Sequence, residues 1–508
     1  MYDARPMQKL TQEIVPILVL IAIIAIVVAR LPKIDVGHTR AFLRRRTLNW
    51  VPLGLTYAFL YMARYNMTVL KNVAGITQQD FGNIDFWGSL VYGVSFLVNG
   101  PLADRFGGRR TILLAAGGAL GANALIGVLW LTGTIDKQST VALTLLFVLN
   151  MYFQSFGAVS IVKVNASWFH LRERGTFGGI FGILISLGLY FAFDWGSRIA
   201  GHGCAGCGVK GAPAPSVAEW QSLAWLFLVP AGILAVFWVA SYLFVHDTPA
   251  DAGLVDFDVE DASSGAPALR ESSGQVIVRM LRNPIILTIA LIELCSGFLR
   301  QGILKWSNDF ARGAGAADVY VFKHWGMVSC IAGITGGIFA GVISDHLFRS
   351  RRVPVVTVLY LIMFAGALVL VLLLGMPIAL SWVIAFMAMA IIGVHGMLSG
   401  VASQDFGGRL HTGVAVGLID GFVYLGGALQ DQVYGGYGHL LPEKGTEAAK
   451  LASNWKAWPI AMIPVAAIGL VLALRIWKAR VPARPVAVPE VPAAVPAAVP
   501  AAVVVSSR

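Results

Sequence analysis

Two arginines stand inside apolar stretches of this chain. Arg64 lies in Tyr61-Met-Ala-Arg64-Tyr65-Asn66, and Arg300 lies in Gly297-Phe-Leu-Arg300-Gln301-Gly302. A charged side chain within an apolar span is costly, so it usually faces a cavity and works there. Arginine stays ionised, and its planar fork meets carboxylate or phosphate oxygens two at a time. Two such forks suit a dianion, and a phosphoryl group carries nearly two negative charges near neutral pH. The competing readings are an internal ion pair and snorkelling to a membrane surface. Arg64 is about 15 residues into its stretch, which makes snorkelling harder.

The neighbours fit a polar cavity wall. Tyr57, Tyr61, Arg64, Tyr65 and Thr68 recur at helical spacing, so they share one helix face. That face suits hydroxyls of an organic group, although tyrosines four apart are also ordinary helix contacts. Glu293 precedes Arg300 by seven residues, two turns along the same face. It is a counter-ion for Arg300 or a proton carrier, and the ion-pair reading is favoured. Asp420 and Tyr424, four apart, line the cavity or pack. Lys163 is a cavity cation or a topology-setting charge, and His395 is a site residue or a packing histidine.

These residues need a scaffold, and composition names its class. The chain has 508 residues, 57% hydrophobic and 13% charged. Soluble domains carry about 25% charged residues. Mean hydropathy is +0.73. Four cysteines in so long a chain exclude a disulfide scaffold. A polytopic membrane protein remains. Spans of about 20 apolar residues fall at 14–30, 49–72, 84–103, 111–133, 140–164, 176–200, 220–245, 284–306, 322–344, 353–375, 379–402, 412–436 and 456–477. They must be helices, because backbone groups in lipid have to bond within their own segment.

The net charge of +11 points to topology rather than nucleic acid. Basic clusters at 40–46, 105–110, 172–174, 270–282 and 349–352 alternate with charge-poor loops at 73–83, 134–139 and 201–219. By the positive-inside rule the basic loops are cytoplasmic, so 49–477 reads as twelve spans with both ends inside. The stretch 14–30 is then an extra helix, with a cleaved signal peptide as the competing reading. Residues 247–283 form a polar hinge between halves. Residues 479–508 repeat Val-Pro-Ala units that cannot hold a helix, so this tail is expected to be disordered. The predicted organisation is therefore 1–47 (extra helix and basic linker), 48–246 (first six-helix bundle), 247–283, 284–478 (second six-helix bundle) and 479–508.

The halves echo one another. Gly100-Pro-Leu-Ala-Asp104-Arg105-Phe-Gly-Gly-Arg109-Arg110 ends the second span of one half, and Gly341-Val-Ile-Ser-Asp345-His-Leu-Phe-Arg349 ends the second span of the other. The first motif resembles the signature loop of the major facilitator superfamily, and the second is a weaker copy. Glycine allows close helix approach. The aspartates and arginines can latch the halves at a helix end, or they set topology alone. Arg64 precedes Asp104 by 40 residues and Arg300 precedes Asp345 by 45, so the arginines occupy matching places in the repeat.

Residues 48 to 478 also resemble the organophosphate:phosphate antiporters, the group of glycerol-3-phosphate and hexose-phosphate transporters. The resemblance rests on Tyr61-x-x-Arg64-x-Asn66, Trp168-Phe169 with Glu173-Arg174-Gly175, Asp247-Thr248-Pro249 with Gly253-Leu254, Leu299-Arg300-x-Gly302-x-Leu304-x-Trp306-Ser307, and Ala415-x-Gly417 with Tyr424-Leu425-Gly426-Gly427. It implies that Arg64 and Arg300 bind the phosphoryl group. It also implies that the halves rock to alternate access while phosphate leaves against an organic phosphate. Where the glycerol-3-phosphate branch has a histidine in the fifth span, a lysine in the second and a lysine after the first arginine, this chain has Ile185, Phe96 and Tyr65. Cys330 replaces an acid of the eighth span. Glu293 and Lys305 are candidates to replace the lost charges.

The expected fold is thus an all-α polytopic membrane protein, a major facilitator with two pseudo-symmetric six-helix bundles and one extra N-terminal helix. The expected function is exchange of an organic phosphate for inorganic phosphate. The alternatives are a proton-coupled carboxylate carrier and a non-transporting sensor of phosphorylated metabolites. No catalytic or metal cluster and no nucleotide-binding loop emerges, so no enzyme and no cofactor is expected. The expected partners are small anions and the lipid bilayer, not nucleic acid, and the chain is read as monomeric in a bacterial inner membrane. Cys204 and Cys207 read as a loop disulfide in an oxidising compartment.

Overall fold

The structure, a computed structural model, describes residues 37–170, 173–204, 207, 215–259, 273–348, 352–436 and 438–478. The stretch 14–30, the tail 479–508 and Arg349 lie outside the described residues, as does the side chain of Asp345. Among the described residues there is helix and no strand. The first half supplies α1 (Arg40–Ala74), α2 (Gln78–Phe106), α3 (Gly108–Leu131), α4 (Thr140–Trp168), α5 (Arg174–Tyr190) and α6 (Trp225–Phe244). A short amphipathic helix, α7 (Ser273–Arg282), precedes the second half. The second half supplies α8 (Pro284–Leu304), α9 (Trp325–Val342), α10 (Arg352–Leu373), α11 (Pro377–His395), α12 (Ser403–Tyr434) and α13 (Ala457–Arg475).

Every apolar stretch expected between 49 and 477 falls on helix. Eight helices among the described residues are long and apolar enough to cross a membrane by length and composition alone. Those that are not include α1 and α2, which carry Arg64, Lys71, Asp85 and Asp104. The helix ends follow capping chemistry. Thr39 accepts from Phe42 N at 3.2 Å to start α1, and Gly75 ends it in the left-handed region at φ 68°. Asn283 caps α8, with Pro284 at its first position.

Two seams join the halves. Along the first, α2 lies on α12. Gly93 and Gly100 face Gly421 and Gly413, and an added Cβ at Gly93 would sit 2.9 Å from Gly421 O. Glycine is required at this close approach. Along the second, α5 lies on α9, with Gly182 against Gly337. Among the described residues, three π-type turns interrupt the helices, at Phe191–Trp195, Ile343–Leu347 and Gly396–Ala402. Such turns are rare and often mark functional positions. Cys204 and Cys207 are disulfide-bonded.

Candidate functional site

Arg64 and Arg300 come together from opposite halves, and Tyr424 of α12 brings them there. Gly297 of α8 abuts Val423 O and Gly426 abuts Leu294 O, so α8 and α12 cross with almost no side-chain spacer. That crossing sets Tyr424 against Arg300. Arg64 Nη1 donates to Tyr424 Oη at 2.5 Å, and the Arg300 guanidinium carbon lies 5.3 Å from the Tyr424 ring. Arg64 is also ringed by Tyr61 at 4.2 Å, Tyr92 at 5.0 Å and Tyr65 at 5.7 Å. Aromatic faces stabilise a desolvated cation.

Arg300 has an unusual position. It is 2% exposed, and none of its three guanidinium nitrogens has a hydrogen-bond partner among the described residues. Arg64 Nε is also without one. An unpaired buried charge costs several kcal/mol, so these donors are arranged for an acceptor that the protein does not supply.

The other expected residues fall around this pair. Tyr57 meets Tyr61 edge-on at 5.4 Å, and Tyr65 Oη donates to Gln301 Oε1 at 3.3 Å. Asp420 accepts from Ser399 Oγ, which sits in the π-type turn after α11. Glu293 is fully buried, and it makes no ion pair with Arg300. Its Oε2 lies 3.6 Å from His395 Nδ1. The counter-ion expected for Arg300 therefore faces a histidine instead. Phe96 and Tyr65 add aromatic walls, and Phe96 stacks on Tyr424 at 5.8 Å.

At the end bearing the basic loops, Asp104 takes Lys163 Nζ at 2.6 Å and the backbone N–H groups of Gly413 and Val414 at 2.9 and 3.0 Å. It thereby joins α2 and α4 to α12. Arg109 points elsewhere: its Nη2 donates to Tyr242 O at 2.6 Å, and its backbone N–H donates to Asp247 at 2.7 Å. Asp247 is a carboxylate that burial pushes above its ordinary range. Arg105 lies over the ring of the adjacent Phe106 at 5.8 Å, and Arg110 is exposed. Beside them, Arg46 donates to Glu173 at 3.0 Å and docks the basic linker on the first half.

At the opposite end, two ion clusters escaped the reading of the sequence. Lys71 of α1 and Lys444 both pair with Asp309, and Lys305 pairs with Asp85 of α2. Lys305 thus closes a seam instead of replacing a cavity charge. Asp85 is the second residue of the expected stretch 84–103, so in the sequence it looks like a charge at a span's edge. Tyr92 and Gln301 carried no signal beyond helical spacing.

The sequence profile of the Major Facilitator Superfamily matches residues 53–430. The chain belongs to this superfamily. A glycerol-3-phosphate transporter of Bacillus subtilis is 26% identical over 76% of this chain and 85% of its own. The membrane sensor protein UhpC of Salmonella typhimurium is 25% identical over 78% and 86%. The hexose-6-phosphate:phosphate antiporter of Escherichia coli is 23% identical over 52% and 55%. Among solved structures, a mutant of the nucleoside transporter NupG matches with a TM-score of 0.54 at 13% identity, covering 86% of this chain and 99% of that one. The last likeness speaks to the fold alone. This major facilitator is a multi-pass integral membrane protein, and its relatives are those of the organophosphate:phosphate antiporter group.

Proposed function

We propose that this facilitator carries an organic phosphate across a bacterial inner membrane in exchange for inorganic phosphate. The observation that carries this reading is Arg300, buried with three unpartnered N–H-bearing nitrogens beside Arg64. A tetrahedral dianion can accept from both forks at once. The two arginines come from α1 and α8, so an anion bound between them draws the two halves together. Access alternates as the halves, divided at 247–283, rock about that anion. Asp104 and its partners latch the cytoplasmic end, and the Lys71–Asp309–Lys444 and Lys305–Asp85 clusters latch the other. Tyr57, Tyr61, Tyr65 and Tyr424 line the seat for the organic part. A single chain contains both forks, so the carrier works as a monomer.

The test is uptake of labelled phosphate by phosphate-loaded proteoliposomes, competed by glycerol 3-phosphate, glucose 6-phosphate and 3-phosphoglycerate. The competitor of lowest inhibition constant names the organic group, and no uptake of any of them would overturn the reading. Glu293 favours a second reading. A fully buried carboxyl within a span, 3.6 Å from His395, suits coupling to protons. Loss of pH dependence in Glu293→Gln, with phosphate exchange absent in the wild type, would favour that alternative. Phosphate binding without flux would favour a sensor.

A further inference from the structure

A second polar cavity opens between the halves, away from the basic loops. Its volume is about 390 Å³, and Arg198, Arg312, Lys323, His324, Asp194 and Phe193 line it. The cations come from both sides. Arg198 follows the π-type turn Phe191–Trp195 of the first half, whereas Arg312 and Lys323 sit on short helices, Trp306–Gly313 and Tyr320–Lys323, of the second. Arg198 Nε donates to Asp194 at 2.9 Å, so one cation is balanced. Arg312 and Lys323 make no hydrogen bond or ion pair among the described residues. Asp309, the nearest acid to Arg312 on its helix, is already held by Lys71 and Lys444. The cleft therefore keeps an excess of positive charge.

Its inner wall leads to the arginine seat. Phe193 lines the cavity and lies 5.4 Å from the Tyr65 ring, and Tyr65 lies 5.7 Å from the Arg64 guanidinium carbon. The Phe193–Tyr65 pair thus links the cavity wall to Arg64, and Phe193 belongs to a π-type turn.

We propose that this cavity is a capture site for a phosphoryl dianion, from which the anion passes the Phe193–Tyr65 pair to reach Arg64 and Arg300. The proposal rests on the phosphate-exchange reading for the ligand's chemistry. A basic cleft with low-dielectric walls raises local anion concentration and on-rate by about 10- to 1,000-fold, and salt weakens the effect.

The test uses Ala317→Cys, an exposed residue lining the cavity, in the full-length protein in proteoliposomes. The free cysteines Cys295 and Cys330 are buried and stay silent. Labelling rates with anionic sulfonatoethyl and cationic trimethylammonioethyl methanethiosulfonate are compared, each normalised to a free thiol. The anionic reagent is expected to be favoured about tenfold. Adding Arg312→Gln and Lys323→Gln should abolish that preference, and millimolar inorganic phosphate should slow labelling only when both cations are present. In exchange assays the same double substitution should raise the KM for phosphate on this face several-fold, with maximal rate and the opposite-face KM unchanged. An unchanged reagent preference, or no protection by phosphate, overturns the capture site even if the wild type exchanges phosphate. Protection by phosphate without exchange supports the capture site and defeats the exchange reading.

Discussion

Arg64 Nη1 donates to Tyr424 Oη at 2.5 Å, and that bond joins the first half of the molecule to the second. The same tyrosine ring faces Arg300. Tyr424 therefore fixes where both forks point. Tyr424→Phe keeps the ring and removes the acceptor. Hydrogen bonds to charged groups contribute about 1.5–3 kcal/mol, so phosphate affinity should fall roughly tenfold or more while insertion and helix content stay unchanged. Equilibrium binding of labelled phosphate to purified protein checks this, and unchanged affinity would deny Tyr424 its positioning role.

Asp104 collects one ammonium and two backbone N–H groups at the seam between α2 and α12. Asp104→Asn keeps the shape but removes the charge that strengthens all three bonds. Spin labels on the cytoplasmic ends of α2 and α12 should show a larger open population in double electron–electron resonance. Identical distance distributions would leave Asp104 a topology-setting charge.

Gly100 meets the backbone of Gly413 with no room for a side chain. Gly100→Ala should disfavour the closed cytoplasmic seam, because the obstacle is a carbonyl on a rigid helix and cannot turn away. Exchange should drop severalfold at normal expression. Cysteines placed along α12 near Gly413 should label faster, and slower or equal labelling would contradict a close-contact seam.

Lys444 lies in the loop before α13, and burial lowers its pKa to about 8 against an ordinary value of 10.5, although Asp309 opposes the shift. Between about 8 and 10.5 the folded chain binds fewer protons than the unfolded one, so this group's contribution to stability rises with pH across that window. Below about 8 both forms are protonated and the contribution is flat. Thermal unfolding in detergent, compared with Lys444→Met, should show a wild-type rise above about pH 8 that the variant lacks. A fall with pH specific to the wild type would refute the assignment.

Much of the central site was legible because it is local or repeated. Arg64 and Arg300 stand out as charges in apolar spans, and the spacing to Asp104 and Asp345 sets them in equivalent places. Helical periodicity put Tyr61 and Tyr65 on the face of Arg64. What escaped are pairings between distant residues at helix ends. Lys71 and Asp309 are 238 positions apart, and Lys305 and Asp85 are 220 apart. Neither pair leaves a periodic signal, since each partner looks like an ordinary terminal charge. The counter-ion reading of Glu293 fails for a related reason. Seven-residue spacing puts it on the face of Arg300, but two turns separate them along the axis, and His395 of a different helix is nearer.

The central claim is that two forks from opposite halves hold one phosphoryl group. It is tested most directly by labelled-phosphate counterflow into phosphate-loaded proteoliposomes, measured side by side for wild type, Arg64→Lys and Arg300→Lys. Lysine keeps the charge and loses the fork. The wild type should exchange, and each lysine variant should lose about 100-fold or more in rate with membrane insertion intact, the loss of one bidentate contact worth about 3 kcal/mol. Near-wild-type counterflow in either variant, or no counterflow in the wild type, would contradict the claim.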